Sequence, residues 1–374
     1  MIKPETFYNH LNGNGIGFFC GVPDSLLKYF CAYIFDHVKS KRHIISANEG
    51  NAIALAAGYY LATGKLGLVY MQNSGIGNAV NPLLSLVDKE VYSIPMILLI
   101  GWRGEPGIKD EPQHIKQGRI QLSLLDNLEI PYQIIDKNTM GLEEQMKELI
   151  DLSKKISAPV ALVVKKGTFE EYKLENNIKE DTQLFSREAA LEIVLDNLQE
   201  SVIISTTGKT SREIFEIRER NNAPHNDFLT VGSMGHASSI ALGVALGHPE
   251  KKTVCIDGDG AMIMHLGSLP VLGNIAPQNF IHILMNNFCH ESVGGQPTAS
   301  RVIDFDKLCY ATGYKKYLLA SDEESLRDAV LQAHKLTGPV FIEVKIRKGS
   351  RSDLGRPTIS PQNNKMNFMD YVSK

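Results

Sequence analysis

At 374 residues the chain exceeds the size at which one hydrophobic core usually suffices, so two domains are expected. Hydrophobic residues make up 43% and charged residues 22%, the balance of an ordinary globular chain. The net charge of -3, from 39 basic and 42 acidic residues, leaves no global positive field for nucleic acid.

The chain opens on MIKPETFYNHLNGNG, which holds no apolar core of signal-peptide length. The longest apolar runs, such as IPMILLIGW, are far too short to span a bilayer, so a cytoplasmic protein without a membrane partner is expected. Cys20, Cys31, Cys255, Cys289 and Cys309 are odd in number and form no CxxC pair. That argues against a disulfide framework or a zinc site and for a reducing compartment.

Short apolar runs alternate with helical runs, which predicts an α/β chain with parallel strands. In the first half, strands are expected at Gly17–Cys20, His43–Ser46, Gly67–Met71, Met96–Ile100 and Val160–Val164, with a helix over Ala52–Leu61. CGVPDSLLKYF sets Asp24 and Ser25 after the first strand and a Pro turn, where an N-cap role suffices for the Asp. SANEGNAIALAAGYYLATGK sets Glu49 between a strand and an apolar helix, a place that also suits the helix dipole. In QNSGIGNAVNPLLSL, Asn73, Ser74 and Gly75 follow the third strand as turn residues. GWRGEPGIKDEPQHIKQGR carries Arg103, Lys109, His114 and Lys116 in a loop too long for a simple turn, either solvated or functional.

The polar stretch KKGTFEEYKLENNIKEDTQLFS has no clear period and reads as a linker. It predicts one domain over 1–175, a linker over 176–184 and a second domain over 185–374. Both halves end in similar phrases, SAPVALVVKKGT and TGPVFIEVKIRKGS, which hints at two domains of like architecture.

In the second half, strands are expected at Val202–Ser205, Thr253–Ile256, Phe280–Met285 and Val340–Val344, with a helix over Arg187–Leu198. STTGKTSRE brings Thr207 and Gly208 after the first of these, and GSMGHASSIALGVALG brings Ser233, Met234 and Gly235 before an apolar run. VCIDGDGAMIMHLGSLPVLGNIAPQNFIHILMNN carries the sharpest signal. Asp259 lies between Gly258 and Gly260, with a helix beginning at about Ala261, and Asn286 and Asn287 end the next strand. Consecutive parallel strands end at one edge, where ligands collect. A carboxylate, an amide oxygen, a backbone carbonyl and phosphate oxygens suit an octahedral, oxygen-ligated ion such as Mg²⁺ at a helix start that favours anions. An Asp N-cap with Asn-Asn as loop punctuation is the bland alternative. The tail IRKGSRSDLGRPTISPQNNKMNF reads either as a solvated extension or as a cationic flap bearing Arg347, Arg351 and Arg356.

GDGA followed at this spacing by NN resembles the thiamine-diphosphate fingerprint of the decarboxylase superfamily, and NEGNAIALAAGY and GSMGHASSIALGVALG resemble further phrases of it. The resemblance covers almost the whole chain as two doubly wound parallel-sheet domains. It implies a pyrimidine-binding domain over 1–175 and a diphosphate-binding domain over 185–374, without the central third domain of larger members. Implied cofactors are thiamine diphosphate and Mg²⁺, the metal held by Asp259, Asn287 and the backbone oxygen of Cys289. Glu49 is implied as the acid that bonds the aminopyrimidine ring, and Met234 as the apolar wedge under the cofactor, with Gly235 leaving room for its rings. Further cofactor contacts are implied for Asn73, Ser74, Gly75, Thr207, Gly208, Ser233, Gly258, Gly260 and Ala261. In that family the two halves meet across a subunit interface, which implies a homodimer or a dimer of dimers.

GVPDSLL, GWRGEPGIKDEPQH and HESVGGQPT resemble more narrowly the branch that acts on phosphonopyruvate. The expected reaction is decarboxylation of 3-phosphonopyruvate to phosphonoacetaldehyde. The rivals are sulfopyruvate decarboxylation, acetohydroxyacid-type carboligation and, disfavoured by Glu49, an idle diphosphate-binding regulator. A strongly anionic 2-oxo acid needs cationic partners, so Arg103, Lys109, Arg351 and Arg356 join Asp24 and Ser25 as substrate-binding candidates. Pyruvate-type enzymes carry a Glu several residues past the second Asn, a position that corresponds here to Val293. Proton delivery is then expected from Asp24, His114 or His290.

Overall fold

The computed structural model of the chain describes residues 1–175 and 183–374. The expected linker 176–184 therefore lies outside the described residues except at its last two positions. The chain divides into two compact units, Met1–Ile178 with Ser292–Gln296 and Lys179–Glu291 with Pro297–Lys374.

Among the described residues the first unit holds strands β1 (Phe19–Gly21), β2 (His43–Ile45), β3 (Leu68–Gln72), β4 (Ile97–Gly101), β5 (Tyr132–Ile135) and β6 (Val160–Val164). They form one parallel sheet in the order β2-β1-β3-β4-β6-β5. Its two faces are both covered. Leu68, Tyr70, Ile97, Leu99, Val160 and Leu162 enter one apolar cluster, while Val69, Met71, Leu98, Ile100, Ala161 and Val163 enter the other. Burial on both sides is why these strands read as unbroken apolar runs.

The second unit holds β7 (Val202–Ser205), β8 (Phe228–Leu229), β9 (Thr253–Gly258), β10 (Phe280–Asn286), β11 (Lys316–Ala320) and β12 (Val340–Lys345), again all parallel, in the order β11-β12-β10-β9-β7-β8. Counted within its own unit, each sheet runs 2-1-3-4-6-5 from one edge. The similar phrases supply the sixth strand of each sheet, β6 and β12.

Three strands depart from the sequence expectation, β5, β8 and β11, and each is an edge strand. Tyr132, Gln133 and Ile134 of β5 and Lys316, Tyr317 and Leu318 of β11 are not fully buried, and β8 is two residues long. With one flank unpaired and solvent close by, such strands lack the apolar run of a central one. Two further expectations are corrected. The helix after β9 spans Asp259–Met264, so Asp259 is its first residue rather than a residue two places ahead of it. The tail is not a solvated extension, because Pro361–Val372 is a helix whose Asn364, Phe368 and Val372 are buried. Asn364 accepts from the Leu229 N–H at 3.0 Å and donates to the Asp227 carbonyl at 2.8 Å, closing the exposed edge of β8.

All five cysteines are free and buried. Among the described residues no helix is long and apolar enough to cross a membrane.

Candidate functional site

The first-half candidates follow the C-terminal ends of neighbouring strands. Asp24 comes after β1, Glu49 after β2, Asn73–Gly75 after β3 and Arg103 after β4.

Glu49 opens the helix Glu49–Thr63 but does not cap it. The Asn48 side chain caps it, accepting from the Asn51 N–H at 2.9 Å. The Glu49 carboxylate, 5% exposed, accepts instead from Asn78 Nδ2 at 2.8 Å. Gly75 makes room for it, since a methyl there would lie 2.3 Å from Glu49 Oε1.

Asp24 is fully buried. Gln72 Nε2 donates to its Oδ1 at 2.8 Å and the Leu26 N–H to its Oδ2 at 2.8 Å. Burial raises its pKa above the ordinary value, and those hydrogen bonds and the nearby Arg103 only partly offset the rise. Gln72, which sequence reading passed over, is held in turn by Ser74 Oγ, which donates to its Oε1 at 2.7 Å. Gly101 at the end of β4 leaves the space for Asp24, as a methyl there would lie 2.3 Å from Oδ2. Gly101→Ala is therefore expected to destabilise the protein by about 1–3 kcal/mol, because the crowding atom belongs to a buried, fully bonded side chain. Urea titration at pH 7 measures this, and an unchanged midpoint would contradict the packing described.

Asn73 clamps the Arg103 backbone, donating from Nδ2 to its carbonyl at 2.8 Å and accepting its N–H at 3.2 Å. The guanidinium donates from Nε to Asp110 Oδ2 at 2.8 Å and from Nη1 to Ser25 Oγ at 2.7 Å. Asp110 also accepts from His114 Nδ1 at 2.9 Å and the Gly104 N–H at 2.8 Å. Partial burial alone would raise the Asp110 pKa, but the bonds from Arg103, His114 and Gly104 hold it well below the usual carboxylate range. His114 is pushed down by burial, which the Asp110 bond only partly reverses, so the ring is neutral at pH 7. His114 and Lys116 stand on the helix Pro112–Asn127, not on the loop, and Lys109 is exposed. Asp110, the hub of this cluster, was missed because nothing in its local pattern marks which distant groups converge on it.

In the second unit the register pairs Met285 with Gly258, so Asp259 and Asn286 leave neighbouring strands at one edge. Asp259, 3% exposed, accepts hydrogen bonds from the hydroxyls of Thr298 and Ser300, the latter at 2.9 Å. Burial raises its pKa to about 6 against the pull of those hydroxyls. A methyl on Gly260 would lie 3.0 Å from His290 Cε1 and 3.3 Å from Thr298 Cγ2, so the turn abuts both segments. Ala261 is buried within the same short helix. The two asparagines part company. Asn286 donates to Glu343 Oε1 at 2.8 Å within the sheet, whereas Asn287 donates from Nδ2 to Glu291 Oε2 at 2.9 Å and accepts the Cys289 N–H on Oδ1 at 3.1 Å. His290 keeps some surface, yet burial takes its pKa to about 4.

Other candidates fall as follows. Gly208 is the N-cap of the helix Lys209–Arg220, with Thr207 half-buried before it. The neighbouring Thr206, not singled out from sequence, has a buried hydroxyl without a hydrogen-bond partner among the described residues. Ser233 is exposed at φ 51°, and Met234 is half-buried ahead of the helix Ala237–Gly247. A methyl on Gly235 would lie 2.6 Å from the His265 ring and 2.9 Å from the Ala261 carbonyl, so close packing on the Asp259–Met264 helix accounts for this glycine. Arg351 is engaged with Glu188 at 2.8 Å, with Glu216 and with Asp353 at 3.1 Å. Arg356 is exposed in the same segment.

Comparison with known proteins adds the following. The family model described as thiamine pyrophosphate enzyme, N-terminal TPP binding domain, matches residues 5–129, and the C-terminal TPP binding domain model matches residues 206–344. A phosphonopyruvate decarboxylase of Streptomyces viridochromogenes is 34% identical over 100% of this chain and 96% of its own. One from Streptomyces hygroscopicus is 32% identical over 100% and 95%. A sulfopyruvate decarboxylase of Methanosarcina acetivorans is 28% identical over 90% and 92%.

Proposed function

We propose that this chain, which belongs to the thiamine-diphosphate-dependent decarboxylases, removes carbon dioxide from 3-phosphonopyruvate and releases phosphonoacetaldehyde for phosphonate biosynthesis. The observation that carries the substrate is Arg103. Asp110 and Ser25 hold its planar cation, and the buried acid Asp24 lies close enough to feel its charge. A 2-oxo acid with a phosphonate group needs such a cation at one end and a proton donor at the other. The full-length similarity to two phosphonopyruvate decarboxylases supports the same reading over the more distant sulfonate enzyme.

An electron sink for the pair left when carbon dioxide departs is the chemistry that thiamine diphosphate supplies when bound. The chain's own residues then divide the work. Glu49, pinned by Asn78 and Gly75, presents a carboxylate that holds the cofactor's pyrimidine and moves its proton. Asp24 gives a proton to the carbon that has lost carbon dioxide, because burial favours its protonated form. His114 orients Asp110 and hence Arg103, since its Nδ1 side is committed to that carboxylate. His290 stands beside the Asp259 turn as a second neutral base. Lys109 adds positive charge on the loop that carries Arg103, whereas Arg351 is already paired with Glu188, Glu216 and Asp353.

Asp259 fits a hard divalent ion such as Mg²⁺, because its buried carboxylate has hydroxyl partners in Thr298 and Ser300 and gains from a positive one. Asn287 and the Cys289 carbonyl complete an oxygen donor set. Thr207, Gly208, Ser233, Met234, Gly258, Gly260 and Ala261 line the cofactor in this reading, with Asn73, Ser74 and Gly75 on the pyrimidine side.

Assembly into a homo-oligomer is part of the proposal. The helix Glu49–Thr63 is apolar nearly all round, yet leaves Leu55 and Leu61 exposed, and Leu246, Val271 and Ile275 are exposed on helices of the second unit. Such faces suit a second copy of the chain.

The test is a substrate panel of phosphonopyruvate, sulfopyruvate and pyruvate, each scored for carbon dioxide and aldehyde with thiamine diphosphate and Mg²⁺ present. Phosphonopyruvate is expected to give the highest kcat/KM, by tenfold or more. Preference for sulfopyruvate would move the assignment to the sulfonate branch, and a carbon–carbon coupled product would move it to a carboligase.

A further inference from the structure

We propose that Glu291 is the positioning residue that turns the amide oxygen of Asn287 toward the metal, an inference that rests on the proposed role of Asn287 as a ligand. A carboxamide offers an acceptor on one side and a donor on the other, and only the oxygen serves a hard cation. Two contacts set the direction here. Nδ2 donates to Glu291 Oε2 at 2.9 Å, and Oδ1 accepts the Cys289 N–H at 3.1 Å, keeping a lone pair to spare. An ionised Glu291 can only accept, so the opposite flip would set oxygen against oxygen.

Glu291 is held in place by two cations. Lys209 Nζ donates to its Oε1 at 2.6 Å and Arg187 Nη1 to its Oε2 at 3.1 Å. Arg187 is anchored in turn on Glu213, through Nε at 2.6 Å and Nη2 at 2.9 Å. Arg187 is 5% exposed and Glu213 1%. Buried charge networks are weak sources of stability, and apolar side chains would often fill the same volume at least as well. What this network adds is direction: Glu213 fixes Arg187, Arg187 and Lys209 fix Glu291, and Glu291 fixes the amide. Sequence alone drew attention to Val293, and the carboxylate two residues earlier escaped notice.

The test follows Mn²⁺ binding by the free-ion electron paramagnetic resonance signal, with thiamine diphosphate present, and records melting curves alongside. Glu291→Gln is expected to weaken Mn²⁺ binding about 10–100-fold, because a glutamine tolerates either face of the Asn287 amide. Glu291→Asp, which keeps the charge but withdraws it by one methylene, is expected to fall between. In an Asn287→Asp background both side-chain ends are oxygen and Glu291 only repels, so Glu291→Gln should there strengthen binding. Unchanged affinity in the native background, or weakening of the same sign in both backgrounds, overturns the proposal. If Asp259→Asn binds Mn²⁺ as tightly as the native chain, the metal-site reading itself fails instead.

Discussion

Asp259→Asn is expected to abolish turnover and, at pH 7, to make the cofactor-free protein more stable. Burial lifts the folded-state pKa of Asp259 from 3.8 to about 6. The unfolded chain therefore releases this proton first as the pH rises. Stability falls between about pH 4 and pH 6, and the loss is complete at pH 7. About 1.4 kcal/mol per unit gives a penalty on the order of 3 kcal/mol, an upper bound because the chain relaxes around the charge. Asparagine carries no charge to desolvate and still offers an oxygen to Thr298 and Ser300. A divalent ion would offset the penalty in the native chain, so thiamine diphosphate with Mg²⁺ should raise its melting temperature and leave that of the variant nearly unchanged. Thermal melts at pH 4.5 and 7, with and without both additives, check each part. A variant less stable than the native chain at pH 7, or equally stabilised by the additives, would contradict the account.

Glu49→Gln is expected to lower aldehyde release about 10²–10⁴-fold at saturating cofactor, the range for losing a positioned proton-transfer group. The fold should survive, because glutamine can still accept from Asn78 Nδ2 through its amide oxygen. Cofactor binding, read as the shift in melting temperature, should change far less than turnover, since the proposed diphosphate and metal contacts lie elsewhere in the chain. That split between binding and turnover is the informative result. Near-normal turnover would remove Glu49 from the chemistry, and loss of both together would make it a binding residue.

The chain's architecture was legible wherever a strand is buried on both faces. ILLIG, VALVV and FIHILMN are apolar because helices cover them above and below, and no partner need be known to read them. The candidate chemistry was legible for a related reason. A glycine-flanked Asp after one parallel strand and an Asn pair after the next must meet at a common edge, whatever else the chain does.

Partner choice was not legible. Asn73, expected among the cofactor contacts, grips the Arg103 backbone, and Arg103 itself is oriented by Asp110, seven residues on. The C-terminal segment read as either a solvated extension or a cationic flap, yet its Asn364, Phe368 and Val372 are buried on a helix. The edge strands β5, β8 and β11 escaped notice because their burial is set by a single neighbour. By itself, then, the sequence determined the parallel α/β layering and the positions of Asp24, Glu49, Asp259 and Asn287, since local pattern and strand topology suffice for these. The tertiary structure alone decided which side chains hold those carboxylates and amides in direction, because a hydrogen bond is chosen by distance and angle between groups that lie far apart in the chain.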